Sequence, residues 1–202
     1  MDTQTKVDVQ GNREKFIEIF EANIQREGAV ALLEYLKSSD FFTAPASTRF
    51  HMAVEGGLCF HSINVYNRLL SLVKLEYGDN WSETVLPETI AICGLLHDVC
   101  KIDMYVTELR NVKVDGEWEK RPYFTIDEKL PYGHGEKSVY IINGFLRLTR
   151  EEAIAINWHM GSFDDRVKGG SYTISSAYRK FPLAVMLHMA DMSASYLDEE
   201  RN

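Results

Sequence analysis

Phe16, Phe20 and Ile24 recur at the spacing of one helical face, and Val30, Leu33 and Leu36 resume the stripe after Gly28. Residues 13–38 therefore read as two short helices or as one helix broken at the glycine. A loop containing Pro45 follows and ends in Gly56-Gly57. Beyond it Leu58, His61, Val65, Leu69 and Leu72 share a face, which turns His61 inward. Pro87 opens the next helix, where its missing N–H costs nothing. Ile92, Leu95, Leu96 and Val99 bury that helix, and His97 and Asp98 fall in its last turn.

Between Met104 and Ile126 the apolar period changes from 3.6 to two. Val112 and Val114 face one way, Asp115-Gly116 supplies a turn, and Trp118 lies on the return, which predicts a β-hairpin. Helical spacing then returns. Gly133-His134-Gly135 precedes a helix carrying Val139, Ile142, Phe145 and Leu146, and Thr149-Arg150-Glu151-Glu152 has the form of a capping box for a helix ending at Trp158-His159-Met160-Gly161. Residues 162–176 are polar and glycine-bearing and read as a loop. Pro182 starts a last helix on which Ala184, Leu187, His188, Asp191, Ala194 and Ser195 lie together, and the small residues let a neighbouring helix approach Asp191 closely. The pattern predicts an all-α fold, one domain over residues 1–202, with a small hairpin inserted at about 104–126.

Composition narrows the function classes. The chain has 202 residues, of which 45% are apolar, enough for one sizeable core. Thirty acidic against twenty-two basic residues leave a net charge of −8, which repels a long polyanion and favours small substrates over nucleic acid. Cys59, Cys93 and Cys100 are odd in number and have no CxxC spacing, which fits a reducing cytoplasm. The opening residues 1–8 are polar and carry no export signal, and no apolar run approaches a membrane span. Asp164-Asp165 and Asp198-Glu199-Glu200 read as solvated surface and a polar terminus.

The chemistry lies in an ordered set of metal-ligand types: His61, the doublet His97-Asp98, His134, His159 and Asp191. Imidazole with carboxylate suits Zn, Mn, Fe or Ni far better than Ca. This order resembles the HD superfamily of metal-dependent phosphohydrolases. Gly56-Gly57-Leu58-Cys59-Phe60-His61-Ser62 is similar to that family's first ligand helix. Leu95-Leu96-His97-Asp98-Val99-Cys100-Lys101 is similar to its signature, and Leu187-His188-Met189-Ala190-Asp191 to its last ligand helix. The resemblance implies an HD-domain helical bundle in which His61, His97, Asp98 and Asp191 bind one metal. His134 and His159 supply a second, and Asp98 bridges both. Two divalent ions (Mn, Fe, Ni, Zn or Mg) about 3.5 to 4 Å apart would hold a hydroxide between them for attack on a phosphate mono- or diester.

Asp98 and Lys101 are the expected catalytic pair, with Lys101 meeting a phosphate oxygen. Arg49 and His51, in the loop before the first ligand helix, are candidates for phosphate contact, as Tyr178 and Arg179 are for a nucleotide. His188, three residues before Asp191, reads as a residue orienting a ligand. No Gly-Tyr-Pro tripeptide follows the histidines, unlike cyclic dinucleotide hydrolases of this superfamily, and no acidic pair follows the doublet, unlike alarmone hydrolases. Thr48 to Gly57 is similar to bacterial 3′-to-5′ exoribonucleases, yet the OB-fold that precedes their HD domain has no counterpart here. The same ligand order also resembles di-iron oxygenases built on the HD fold, which gives an alternative activity. A nucleotide-sensing module without turnover is a third reading, against which the presence of all six ligands argues. The hairpin suits either a lid beside Lys101 or a contact in a homo-oligomer.

Overall fold

A computed structural model describes residues 7–114 and 116–199; the expectations placed on residues 1–6, on Asp115 and on Glu200 lie outside the described residues. The chain is mostly helical, with one two-stranded antiparallel sheet among the described residues. Helix α1 (Val9–Asn23) begins at Asp8, whose side chain accepts from the Gly11 N–H, and α2 (Ala29–Ser38) begins after Gly28. Gly28 has a φ of +91°, and a Cβ there would lie 1.9 Å from the Phe145 carbonyl oxygen. The break expected at this glycine is thus required twice, by conformation and by space.

Helix α3 (Gly57–Tyr77) is the central element and packs against α1, against α5 (Pro87–Leu96) and against α10 (Pro182–Ser193). Leu58, Val65 and Leu69 bury its inner face, whereas Leu72 is only half-buried. The short α4 (Trp81–Thr84) links α3 to α5. Helix α5 is buried on every side from Thr89 to Leu96, so it carries no polar face at all. It approaches α3 closely because Gly94 has no side chain: a Cβ there would lie 2.5 Å from the Tyr66 Cα. Buried apolar side chains from α1, α2, α3, α5, α7 and α10 form one cluster.

The hairpin consists of β1 (Tyr105–Val114) and β2 (Glu117–Ile126), with Tyr105 opposite Ile126 and Val114 opposite Glu117. Its side chains are largely exposed, Trp118 included. Helix α6 (His134–Asn143) is shorter than the apolar spacing suggests. The Gly144 N–H bonds to the Ile141 carbonyl, tightening the last turn, so Phe145 and Leu146 lie beyond it, and Phe145 stacks on Tyr35 at 4.9 Å between ring centroids. Thr149 and Glu152 form the expected capping box of α7 (Arg150–Asn157).

Residues 162–176 are not the plain loop that their composition suggests. They contain α8 (Asp165–Lys168), where the cap from the Asp164 side chain overrides the glycine and polar content, and the start of α9 (Thr173–Lys180), which has no side-chain cap. The acidic runs are likewise only partly solvated. Asp164 is buried, caps α8 and pairs with Arg166 at 2.5 Å, and Glu199 is buried at the end of a π-helical segment, Ala194–Glu199. No helix of the described residues is long and apolar enough to cross a membrane.

A buried polar node ties three elements together. Glu152 is fully buried and accepts from both terminal nitrogens of Arg26 (2.8 and 2.9 Å), from the Thr89 hydroxyl (2.8 Å) and from the Thr149 N–H (2.8 Å). Arg26 also pairs with Glu88 at 3.0 Å, at the start of α5. The node joins the α1–α2 turn to the N-terminal ends of α5 and α7.

Candidate metal centre

Helix α5 stops at Leu96. His97 caps it and Asp98, with φ −109° and ψ 17°, leaves helical geometry, so the doublet lies just past the helix end and not within its last turn. This break matters because it turns both side chains toward the same point under α3. Val99–Lys101 then form a 3-10 turn whose Cys100 N–H donates to Ser138 Oγ on α6 (3.1 Å), holding the doublet against the helix that carries His134. His134 is the first residue of α6 and does not precede it.

All six histidines of the chain gather here. Ring centroids run in a chain: His51 to His61 at 4.8 Å, His61 to His97 at 5.2 Å, His97 to His159 at 4.9 Å and His159 to His134 at 5.2 Å. The sixth, His188, donates from Nδ1 to the His159 carbonyl at 2.6 Å and packs over Gly161, where a Cβ would lie 2.2 Å from its ring. Gly161, at φ +58°, thus gives His188 the room to fix the turn that presents His159.

Asp98 sits at the centre, and its two oxygens face different partners. Oδ1 is 2.8 Å from His134 Nε2 and 3.5 Å from His159 Nε2; Oδ2 is 3.6 Å from His61 Nε2, 3.5 Å from His97 Nε2 and 2.6 Å from Lys101 Nζ. Asp191 Oδ1 lies 3.2 Å from His61 Nε2.

Three rings are oriented from behind. His97 Nδ1 donates to the Gly94 carbonyl (2.9 Å), His159 Nδ1 to the Ile156 carbonyl (2.6 Å), and His61 Nδ1 to the Glu199 carboxylate (3.0 Å). With Nδ1 protonated, each ring turns the Nε2 lone pair inward, the tautomer a cation requires. His61 Nε2 and His97 Nε2 stand 3.3 Å apart. Two imidazole nitrogens sharing one tetrahedral cation at about 2.0–2.1 Å would be about 3.4 Å apart, so the spacing fits. His159 Nε2 is buried with no hydrogen-bond partner, a cost of roughly 1–3 kcal/mol unless something fills the space before it.

The electrostatics also call for positive charge. Burial alone would depress His61, yet Glu199 and Asp191 outweigh it and raise the imidazole to about 10. Burial would raise the carboxyls of Asp98 and Asp191, but Lys101 and His97 hold Asp98 well below the carboxylate range and the hydrogen bond from His61 does the same to Asp191. Burial lowers His97 and His134. Lys101 remains protonated because Asp98 overcomes its desolvation. Buried anions therefore collect protons here, and divalent cations could take their place.

Above the centre lies a cleft of about 390 Å³. Asp98, Lys101, Asp191 and His51 reach it, Phe50, Phe163, Met192 and Tyr196 supply apolar wall, and Lys168 stands at its edge. The loop carrying Phe50 and His51 is folded tightly: Ser47 Oγ donates to the His51 carbonyl (2.8 Å), and the Met52 carbonyl approaches Gly57, where a Cβ would lie 2.1 Å away. His51 Nε2 is buried without a partner, and burial lowers its pKa to about 4.

Other candidates fall elsewhere. Arg49 lies over the Phe50 ring and lines a separate depression with Thr107, Arg110 and Tyr123. The Tyr178 hydroxyl donates to the Trp158 carbonyl at 3.3 Å, and Arg179 is exposed on α9; neither lines the cleft. Both were placed by aromatic and basic character, which says nothing of direction. Glu199, read from its neighbours as a solvated terminus, is the functional candidate that the sequence hid. Its only signal is its position on the same chain segment as Asp191, two turns farther on.

The order of ligand types suggests a family, but comparison of the chain with protein-family models, with curated proteins and with solved structures finds no match. What the structure establishes is a mostly helical chain with buried His, Asp and Cys clusters able to hold metal ions.

Proposed function

We propose that this chain is a metal-dependent phosphohydrolase of the HD type that cleaves a phosphate ester in a nucleotide or small phosphorylated metabolite. The observation that carries the reading is the division of Asp98, with one carboxylate oxygen facing His134 and His159 and the other facing His61 and His97. A carboxylate so placed suits two cations. His61, His97, Asp98 and Asp191 would hold the first; Asp98, His134 and His159 the second. When bound, two divalent ions supply an activated water and neutralise charge that develops on the phosphoryl group.

The remaining work falls to side chains of the cleft. Lys101 keeps its proton and directs Nζ into the centre, where it meets a phosphate oxygen as a fixed positive charge. His51, neutral at pH 7, offers an unpartnered ring nitrogen to the phosphate or its leaving oxygen. Phe50, Phe163 and Tyr196 receive the apolar body of the substrate and exclude water from the reacting bond. The net charge of −8 favours a small substrate over a long polyanion.

The imidazole-rich donor set favours one second reading, a di-iron oxygenase, because imidazole suits iron as well as zinc. Turnover of a nucleotide and phosphodiester panel in ¹⁸O-labelled water, with and without O₂, separates the two. Label in the phosphate product under anaerobic conditions is expected; strict O₂ dependence with iron as the sole active metal would overturn hydrolysis. A second expectation concerns stoichiometry. His134→Ala and His159→Ala should each retain about one equivalent of metal and lose catalysis, because the four donors of the other cation are untouched. Elemental analysis reads the result, and two equivalents in either variant would remove these histidines from the centre.

A further inference from the structure

Arg166, on the short helix α8, does not line the cleft, yet its guanidinium reaches both chain segments that carry the histidines of the second cation position. Nε and Nη2 grip the two carboxylate oxygens of Asp164 (2.9 and 2.5 Å). Nη2 also donates to the Asn157 carbonyl (2.8 Å), while Nη1 donates to the Asn157 side-chain oxygen (3.3 Å) and pairs with Glu136 Oε1. The flat face covers the Trp158 ring, with Cζ 3.9 Å from its centroid. Glu136 stands two residues after His134, and Asn157 and Trp158 immediately precede His159. One side chain thus ties the first turn of α6 to the end of α7. The two helix ends also touch there: a Cβ on Gly135 would lie 2.3 Å from the Asn157 carbonyl oxygen, the same atom that accepts from Arg166 Nη2.

We propose that Arg166 is a positioning residue for the cation held by Asp98, His134 and His159, and that it does so by setting the separation of the two histidines. This role rests on the metal centre proposed above and adds a residue that touches neither ion nor substrate. The two imidazoles reach Asp98 Oδ1 from different helices, His134 Nε2 at 2.8 Å and His159 Nε2 at 3.5 Å, so a small shift of either helix end changes the donor set. His134 depends on its helix more than the other ligands do. His61, His97 and His159 each donate from Nδ1 to an oxygen behind the ring, whereas His134 Nδ1 meets Cys100 Sγ at 3.6 Å, a weak partner. Arginine suits the task because its planar fork presents five donors in fixed directions, which the single ammonium of lysine cannot do.

Position and charge predict opposite signs. The guanidinium is neutralised by Asp164 and Glu136, so its removal leaves two carboxylates unpaired. Added negative charge draws a cation in. If Arg166 acted on the ion through its charge, losing it would tighten binding; if it acts by holding the two helix ends, losing it weakens binding at this position alone.

Calorimetric titration of the full chain with Zn(II) tests the proposal. The wild type should take up two equivalents. In Arg166→Ala and in Arg166→Lys the equivalent that His134→Ala loses should bind at least about 10-fold more weakly, and the other should keep its affinity. Glu88→Gln, which breaks an ion pair of the distant Arg26 node, serves as the control: it should lower Tm and leave both affinities unchanged. Binding as in the wild type, or tighter, in either folded Arg166 variant overturns the positioning role and leaves the metal centre standing, as does equal weakening of both equivalents. A wild type that binds fewer than two equivalents overturns both readings. Arg166→Lys keeps a cation beside Asp164 and decides the matter if the alanine variant does not fold.

Discussion

Asp98→Ala should abolish metal binding and turnover together, with activity falling by at least about 10³-fold. The carboxylate is within reach of both imidazole pairs, so its loss takes a donor from each position at once. It also strands Lys101, whose buried ammonium has its ion pair with Asp98 Oδ2 at 2.6 Å. Some of the effect could therefore come from misfolding, and Asp98→Asn separates the two causes. The amide keeps the shape and still offers an oxygen to Lys101, but it carries no charge for a cation. Asp98→Asn is expected to melt within a few degrees of the wild type under chelation while remaining inactive and metal-poor. Full turnover with wild-type metal content in either variant would remove Asp98 from its central role.

The largest effect on stability is expected far from the cleft, at Glu152. Removing this carboxylate leaves Arg26 without its main partner, frees the Thr89 hydroxyl and breaks the capping box of α7. Breaking a buried ion pair from one side costs about 3–5 kcal/mol. For a chain of this size that corresponds to a fall in Tm of roughly 6–20 °C for Glu152→Ala, measured by calorimetry or circular dichroism. The pH dependence follows from the same contacts. Burial would raise the Glu152 pKa, but the hydrogen bond from Arg26, the Thr149 N–H and the Thr89 hydroxyl lower it below 4.5. A carboxyl depressed in the folded state contributes stability that is complete above its unfolded pKa and is lost as pH falls through the folded value. Wild-type stability should thus decline below about pH 4.5, and Glu152→Gln should flatten that part of the curve. An unchanged acid limb in the glutamine variant would show that other carboxylates set it.

Helices with a strong apolar stripe were legible in the sequence, as were the break at Gly28, the proline at the start of α5 and the capping box at Thr149. Each is a local signal with a local cause. The hairpin was legible because its period differs from that of its flanks. Elements shaped by their ends were less so: α6 stops two residues before Phe145 because its last turn tightens at Gly144, and α8 forms on the cap from Asp164 amid glycines. At the site, types and order placed His61, His97, Asp98, His134, His159 and Asp191 around one point. The residues that sequence missed or misplaced were those whose role depends on direction. Arg49, Tyr178 and Arg179 have suitable chemistry but lie off the cleft. Glu199 looks like surface, yet it is buried because the chain bends back through the segment after α10 and sets its carboxylate behind His61.

That contact joins residues 138 positions apart. A ribosome delivers His61 first, then His97 and Asp98, then His134 and His159, and Asp191 and Glu199 last of this set. The pocket is consequently incomplete until the carboxylates that meet His61 are made: Asp191 and Glu199 follow it at separations of 130 and 138 residues. Loading of a metal at this position would thereby wait until Asp191 and Glu199 have been made, and an ion held by the His61 set would close the loop from His61 to Asp191.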